Sequence, residues 1–232
     1  MTRYLFILMT MLPLTAAAAP SLVPFDAVYS VRISAARGEM TMNLTAGHDG
    51  LTASSSLRPR GFAKLFASGR VDESTTFAVE EGRVVPLDYA MTDTLGRHDK
   101  MAQMTFDRQA KRAAGTDEDG PFEHPIDSDT YDRASIQYAL MLDLLNGRRS
   151  DSYTMLDGDR RKQLGITYTD DIVADVPLGE YPVTVVQHRT EGSSRRTVLY
   201  CAPALGYLPV RIEQYKNDKL NVRAELTAYT PR

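Results

Sequence analysis

A single cysteine, Cys201, excludes any intramolecular disulfide and leaves no cysteine pair for a zinc site. Inside its alternating run Cys201 reads as a small buried hydrophobe, with a reactive thiol as the alternative. Tryptophan is absent, and the four histidines, His48, His98, His124 and His188, show no metal-pair spacing. The chain has no G-x-S-x-G elbow, Walker loop, H-E-x-x-H helix or EF-hand loop, so no catalytic residue, metal or cofactor is nominated by motif. An excess of positive charge is missing too: 27 Lys and Arg face 30 Asp and Glu. That balance argues against a nucleic-acid partner, which needs a basic face.

Beyond residue 19 no apolar run approaches the length of a membrane span, so no anchor is expected after the leader. The leader itself is present. Arg3 supplies a positive start, Tyr4 to Leu14 form a short apolar run, and Thr15 to Ala19 form a small-residue tract. This pattern predicts a signal peptide over residues 1–18, cleaved after Ala18, with residues 19–232 as a single β-rich domain. No cysteine sits at the cleavage site for lipid attachment, so the predicted product is an exported, unlipidated protein of the bacterial periplasm.

Period two dominates the remainder. Phe25, Ala27, Tyr29, Val31 and Ile33 alternate with more polar neighbours, as do Met40, Met42, Leu44 and Ala46, then Leu51, Ala53, Ser55 and Leu57. Turn residues separate them, including Gly47-His48-Asp49-Gly50. Similar runs lie around Phe77, Tyr89, Met104, Tyr153, Ile166, Val183, Leu199, Ile212 and Leu226. Such a series predicts a mainly β fold: a highly curved antiparallel sheet or incomplete β-barrel of about eleven strands with one principal α-helix. The helix is expected over Thr130–Asn146, with an N-cap in Asp127-Ser128-Asp129 and Gly147 at its C′ position. It carries two apolar stripes. One holds Ala134, Tyr138, Met141, Leu142 and Leu145, and the other holds Ile136, Leu140 and Leu144. A helix apolar on two sides sits between two layers, the second being a loop, a ligand or a partner protein. Ala113 to Pro125 reads as a polar linker into it.

Candidate sites follow from chemistry rather than motif. Tyr29, Met42, Phe77, Tyr89, Met104, Tyr138 and Leu140 are the aromatic and methionine positions expected to line a cavity for an amphipathic or lipid-like molecule, or else to be ordinary core. Phe62, Leu65 and Phe66 stand among Arg58, Arg60 and Lys64, a grouping suited to an anionic membrane or amphipathic ligand, or to plugging one end of the barrel. His124 with Asp127, Asp129 and Asp132 forms a hydrolase alternative, against helix capping by the same carboxylates. Asp157-Gly158-Asp159 and Asp170-Asp171 read as turns. His188 reads as a surface or rim residue, with ligand contact as the alternative. Arg195-Arg196 reads as a charged strand edge that discourages aggregation, or as an anion site.

Several segments carry a resemblance. Leu199 to Glu213, with Leu208-Pro209-Val210-Arg211-Ile212-Glu213 the most specific part, resembles the closing segment of the exported bacterial family known as domain of unknown function 3108. Phe25 to Ser30, Glu73 to Phe77, Gly82 to Tyr89, Asp129 to Gly147 and Val176 to Tyr181 match as well. The resemblance implies a periplasmic β-rich domain and transfers no catalytic residue. Its architecture is similar to the lipoprotein-carrier fold, an incomplete barrel whose concave face receives acyl chains. The function expected is a non-catalytic binding module for a cell-envelope component, or alternatively an envelope scaffold docking through the helix's second stripe.

Overall fold

The computed structural model describes residues 21–62 and 69–232. The expected leader, and Lys64, Leu65 and Phe66, lie outside the described residues. The first half of the chain forms β1 (Phe25–Ile33), β2 (Ala36–Ala46), β3 (Leu51–Arg60), β4 (Val71–Glu80), β5 (Arg83–Asp93), β6 (Lys100–Asp107), β7 (Arg112–Asp117) and β8 (Gly120–Pro125). After β9 (Thr130–Asp132) and the helix α1 (Ser135–Leu145) come β10 (Ser152–Asp157), β11 (Arg160–Val176), β12 (Gly179–Thr190), β13 (Arg195–Ala202), β14 (Leu208–Lys216) and β15 (Lys219–Pro231).

The fifteen strands of the described residues belong to one sheet, ordered β8-β7-β6-β5-β4-β3-β2-β1-β15-β14-β13-β12-β11-β10-β9. The chain starts mid-sheet, meanders out to one edge at β8, crosses to the other edge at β9, and meanders back until β15 pairs with β1. Among the described residues only β9 on β10 is parallel. The two edge strands are consecutive in sequence yet do not pair, so the sheet is open. Fifteen strands replace the eleven expected, because several short hairpins carry too little alternation to be counted. Ala113 to Pro125 is such a case: it forms the hairpin β7–β8 rather than a linker. Pro121 and Pro125 fit there because an edge strand needs no outward N–H.

Period two becomes a concave and a convex face. On β1, Phe25, Ala27, Tyr29 and Val31 are buried and Ser30 and Arg32 are exposed. Five register shifts, between Val28/Tyr29, Thr76/Phe77, Thr169/Ile172, Tyr200/Cys201 and Gln214/Tyr215, bend the sheet. The shift in β11 absorbs Asp170 and Asp171, so this pair is a bulge rather than a turn, with Asp171 at φ 60°. Asp157-Gly158-Asp159 does turn the chain, between β10 and β11. Arg195 and Arg196 lie on β13, between β12 and β14, so they protect no sheet edge.

The helix lies in the concavity. It is shorter than expected and starts at Ser135, because Thr130–Asp132 extends as β9. Asp127 and Asp129 do not cap it. Asp132 Oδ1 instead accepts the N–H groups of Ala134 and Ser135 at 2.9 and 2.8 Å, and Ser135 Oγ accepts the N–H of Asp132 at 3.1 Å, a reciprocal arrangement like a capping box. Gly147 takes its expected place beyond the C-terminus, with φ 69°. There the buried Asp143 accepts from Arg148 Nη2 at 2.6 Å, Tyr153 Oη at 2.6 Å and Ser150 Oγ at 3.2 Å. Arg148 also donates to the Gly82 carbonyl, which ties this end of the helix to the β4–β5 turn.

Tyr138 packs on Phe77 with ring centroids 5.3 Å apart, and Leu142 is 1% exposed. Truncating a side chain so enclosed costs about 2–5 kcal/mol, whereas helix propensity is worth under about 1 kcal/mol per residue, so packing holds α1 in place. A smaller apolar cluster, including Tyr89, Met104, Phe106, Ala113 and Leu156, fills the space under β5 to β7. Cys201 is fully buried and burial pushes its thiol well up, as expected of a small hydrophobe rather than a nucleophile.

Candidate functional site

The helix fills one end of the concavity and leaves the other open. The C-terminal end of α1 meets the β4–β5 turn, while Ile136, Gln137, Tyr138 and Leu140 of its first turns face a cavity of about 580 Å³. Its other walls come from the strands either side of the β1–β15 seam. These include Val31 and Ile33 on β1, Met40 and Met42 on β2, Leu57 on β3, Leu199 on β13, Ile212 on β14 and Val222 on β15. Tyr153, Met155, Leu164 and Ile166 close the far wall. Alternation explains the apolar lining: each of these strands turns its odd or its even set inward.

A few polar groups interrupt that lining. Glu73 accepts from Arg133 Nε at 2.8 Å and from Tyr89 Oη at 2.7 Å, and both Glu73 and Arg133 reach the cavity wall. Burial alone would lower the Arg133 guanidinium, but Glu73, Tyr89 and Asp157 raise it, so it stays cationic. Across the cavity stand His188, Thr197 and Gln214. His188 is half-buried on the cavity wall, and burial lowers it from 6.5 to about 4. The imidazole is therefore neutral at pH 7 and lies on the cavity wall.

The sequence-expected lining divides cleanly. Met42, Tyr138 and Leu140 border the cavity. Tyr29 and Phe77 are core beneath it, Tyr29 donating its hydroxyl to the Pro209 carbonyl at 2.9 Å. Tyr89 and Met104 belong to the separate cluster under β5 to β7. The helix's second stripe is no free docking face, since Leu140 and Leu144 are buried and Ile136 and Leu140 face the cavity.

The acidic group does not assemble around His124. Asp127 accepts from Thr130 Oγ1 at 2.7 Å and from Arg161 Nη2 at 3.1 Å, Asp129 pairs with Arg83 at 2.7 Å, and Asp132 caps α1. The Thr130 hydroxyl is the main reason Asp127 is held below its usual value, with Arg161 adding to it. His124 sits on the edge strand β8 beside Phe122, and its Nε2 is buried without a partner. Among the described residues no group of three or more His, Cys, Asp or Glu is placed to hold a metal ion. No helix of the described residues is long and apolar enough to cross a membrane.

At the outer rim, Phe62 is 85% exposed, so it plugs nothing. Arg60 pairs with Glu39, and Arg58 Nε donates to Ser56 Oγ at 3.3 Å. The Leu208–Glu213 segment also acquires a physical role. Its Val210 and Ile212 face inward while Arg211 and Glu213 face outward. There Arg211 binds Glu225 at 3.0 Å, and Glu213, 2% exposed, accepts from Arg223 Nε at 2.9 Å and Tyr215 Oη at 2.7 Å.

Comparison with known proteins agrees with this architecture. A family model described as "Protein of unknown function (DUF3108)" matches residues 25–227, from the start of β1 into β15. Among solved structures, the chain is similar to a β-barrel-like protein of domain of unknown function DUF1849 from Brucella abortus. The TM-score is 0.59 at 13% identity, covering 92% of this chain and 100% of that one, a likeness of fold alone. A structure of MucB in complex with MucA(peri) aligns over 90% of this chain and 94% of its own at 12% identity, with a TM-score of 0.17 that carries no fold information. No curated protein matches the sequence.

Proposed function

We propose that this chain, which belongs to the DUF3108 family, is a non-catalytic module that binds the apolar part of an amphipathic or lipid-like component of the bacterial cell envelope. The observation that carries the reading is the apolar cavity of about 580 Å³ between α1 and the concave sheet. Ligand pockets generally measure roughly 300–1,000 Å³ and combine an apolar lining with a few placed polar groups. Here Arg133, Gln137, His188 and Gln214 are those groups, and Met40, Met42 and Met155 supply side chains that adapt to an irregular ligand. A scaffold would have no use for unfilled space, which forfeits dispersion contacts along its walls. The export leader expected over residues 1–18 supports the reading, since the periplasm is a compartment where such a ligand is at hand.

Uptake of a fluorescent fatty acid tests the reading. The wild-type protein should bind it saturably, and Ile212→Trp, which fills the cavity from β14, should weaken binding at least about tenfold. Equal uptake by the two, with the tryptophan variant folded, would refute the cavity as the site.

A further inference from the structure

The strands around the β1–β15 seam end at one rim. The register places Arg60 opposite Arg37, Arg37 opposite Arg32, and Arg32 opposite Arg223. Four arginines thus stand in a row across the neighbouring strands β3, β2, β1 and β15. Val31, Ile33, Met40, Leu57 and Val222 face the cavity, so alternation sends all four arginines to the convex face. Adjacent strands lie about 4.8 Å apart, so the row runs roughly 14 Å along the rim.

Like charges directly opposite each other are destabilising in a sheet. Two of the four are compensated, Arg60 by Glu39 and Arg223 by Glu213. Arg32 and Arg37 are exposed and have no ion-pair partner among the described residues. These strands are interior, so the charges guard no edge.

Apolar side chains project past this collar. Ile33 follows Arg32 at the tip of β1, Phe62 lies two residues beyond Arg60, and Leu220 stands at the start of β15. They are 37%, 85% and 44% exposed. Ile33 and its cross-strand partner Val222 also line the cavity, so the collar borders the cavity on this side.

We propose that this rim docks on an anionic lipid bilayer. Ile33, Phe62 and Leu220 enter the interface, the arginine row meets the headgroups, and the cavity faces the membrane from which it takes or to which it gives its ligand. Charge complementarity singles out the membrane, because apolar tips beyond a cationic row match the layering of an interface, apolar inside and anionic outside. The transfer role rests on the carrier reading, whereas docking itself does not.

The experiment is flotation of protein recovered from the periplasm with two vesicle types, phosphatidylethanolamine alone and phosphatidylethanolamine mixed with phosphatidylglycerol. The wild type should float with the anionic vesicles only, and added salt should release it. Each basic residue near an anionic surface is worth about 1 kcal/mol, so Arg32→Gln with Arg37→Gln should weaken partitioning roughly thirtyfold. Phe62→Ser should weaken it independently. Wild-type protein that ignores anionic vesicles, or that binds both types alike regardless of salt, overturns the proposal, and so does an unimpaired folded double variant. Fatty-acid uptake without vesicles separates the two readings. Uptake with no flotation removes the docking face alone, and flotation with no uptake removes the carrier alone.

Discussion

Thr75 Oγ1 donates a hydrogen bond to Asp132 Oδ2 at 2.9 Å, joining β4 to the start of α1 across 57 residues of sequence. The same carboxylate caps the helix, yet burial outweighs its hydrogen bonds and lifts Asp132 from 3.8 to about 6. One side chain therefore fixes the position of the helix that leaves the cavity open.

A carboxyl that titrates higher in the folded than in the unfolded chain keeps its proton longer when folded. Asp132 should therefore make stability fall as pH rises from about 4 to about 6, by about 2–3 kcal/mol over that window. Asp132→Asn keeps an acceptor for the cap and removes the titration. Urea unfolding across this window should show the variant gaining stability relative to wild type as pH rises, with at least wild-type stability at pH 7. A variant that loses stability more steeply than wild type as pH rises would contradict this.

His188 acts in the opposite direction. Its folded value, about 4, lies below the ordinary 6.5, so the unfolded chain takes up the proton first and stability falls as pH drops from about 6.5 to about 4. His188→Leu should remove that slope. The C–H resonances of the ring, followed by NMR, should titrate near 4, and a midpoint near 6.5 would show that the ring is hydrated rather than desolvated against the cavity wall. Because the two slopes oppose each other, the wild-type profile should be flatter here than that of a variant retaining only one of the two groups.

On the convex face, Arg223→Ala should destabilise far more than an ordinary surface change. It leaves Glu213 buried with only tyrosine hydroxyls for partners, a loss of about 3–5 kcal/mol by denaturant unfolding. Glu213→Gln, which keeps a hydroxyl acceptor and removes the charge, should cost less. An Arg223→Ala cost below about 1 kcal/mol would mean that solvent already screens this group.

Position along the strand decides which apolar residues matter to a ligand. Met42→Trp should reduce fatty-acid uptake at least about tenfold with a modest loss of stability. Met104→Leu, in the cluster under β5 to β7, should leave uptake unchanged. Equal effects on uptake from both would contradict the separation of the two apolar regions.

These contrasts mark what the sequence could reveal. Alternation assigns a face, so Phe25, Tyr29, Met42 and Phe77 are all legible as inward-facing. It carries no information about height, and height separates Met42 beside the cavity from Phe77 beneath it. The two-sided helix was legible for the same reason, since Leu140 and Leu142 are both buried, one towards the cavity and one in packed core. Its start was not. Asp127, Asp129 and Asp132 have equal capping chemistry, and only the tertiary bond from Thr75 distinguishes Asp132. The β7–β8 hairpin was hidden by prolines that an edge position tolerates. The arginine row was invisible because Arg32, Arg37, Arg60 and Arg223 are scattered in sequence and become neighbours only through the register.

Native mass spectrometry of the protein recovered from the periplasm tests the central claim most directly. A carrier should appear partly as a complex, with an added mass of an amphipathic or lipid-like molecule that diminishes in Ile212→Trp. A wholly ligand-free mass, together with no uptake of fluorescent fatty acid, would contradict the account.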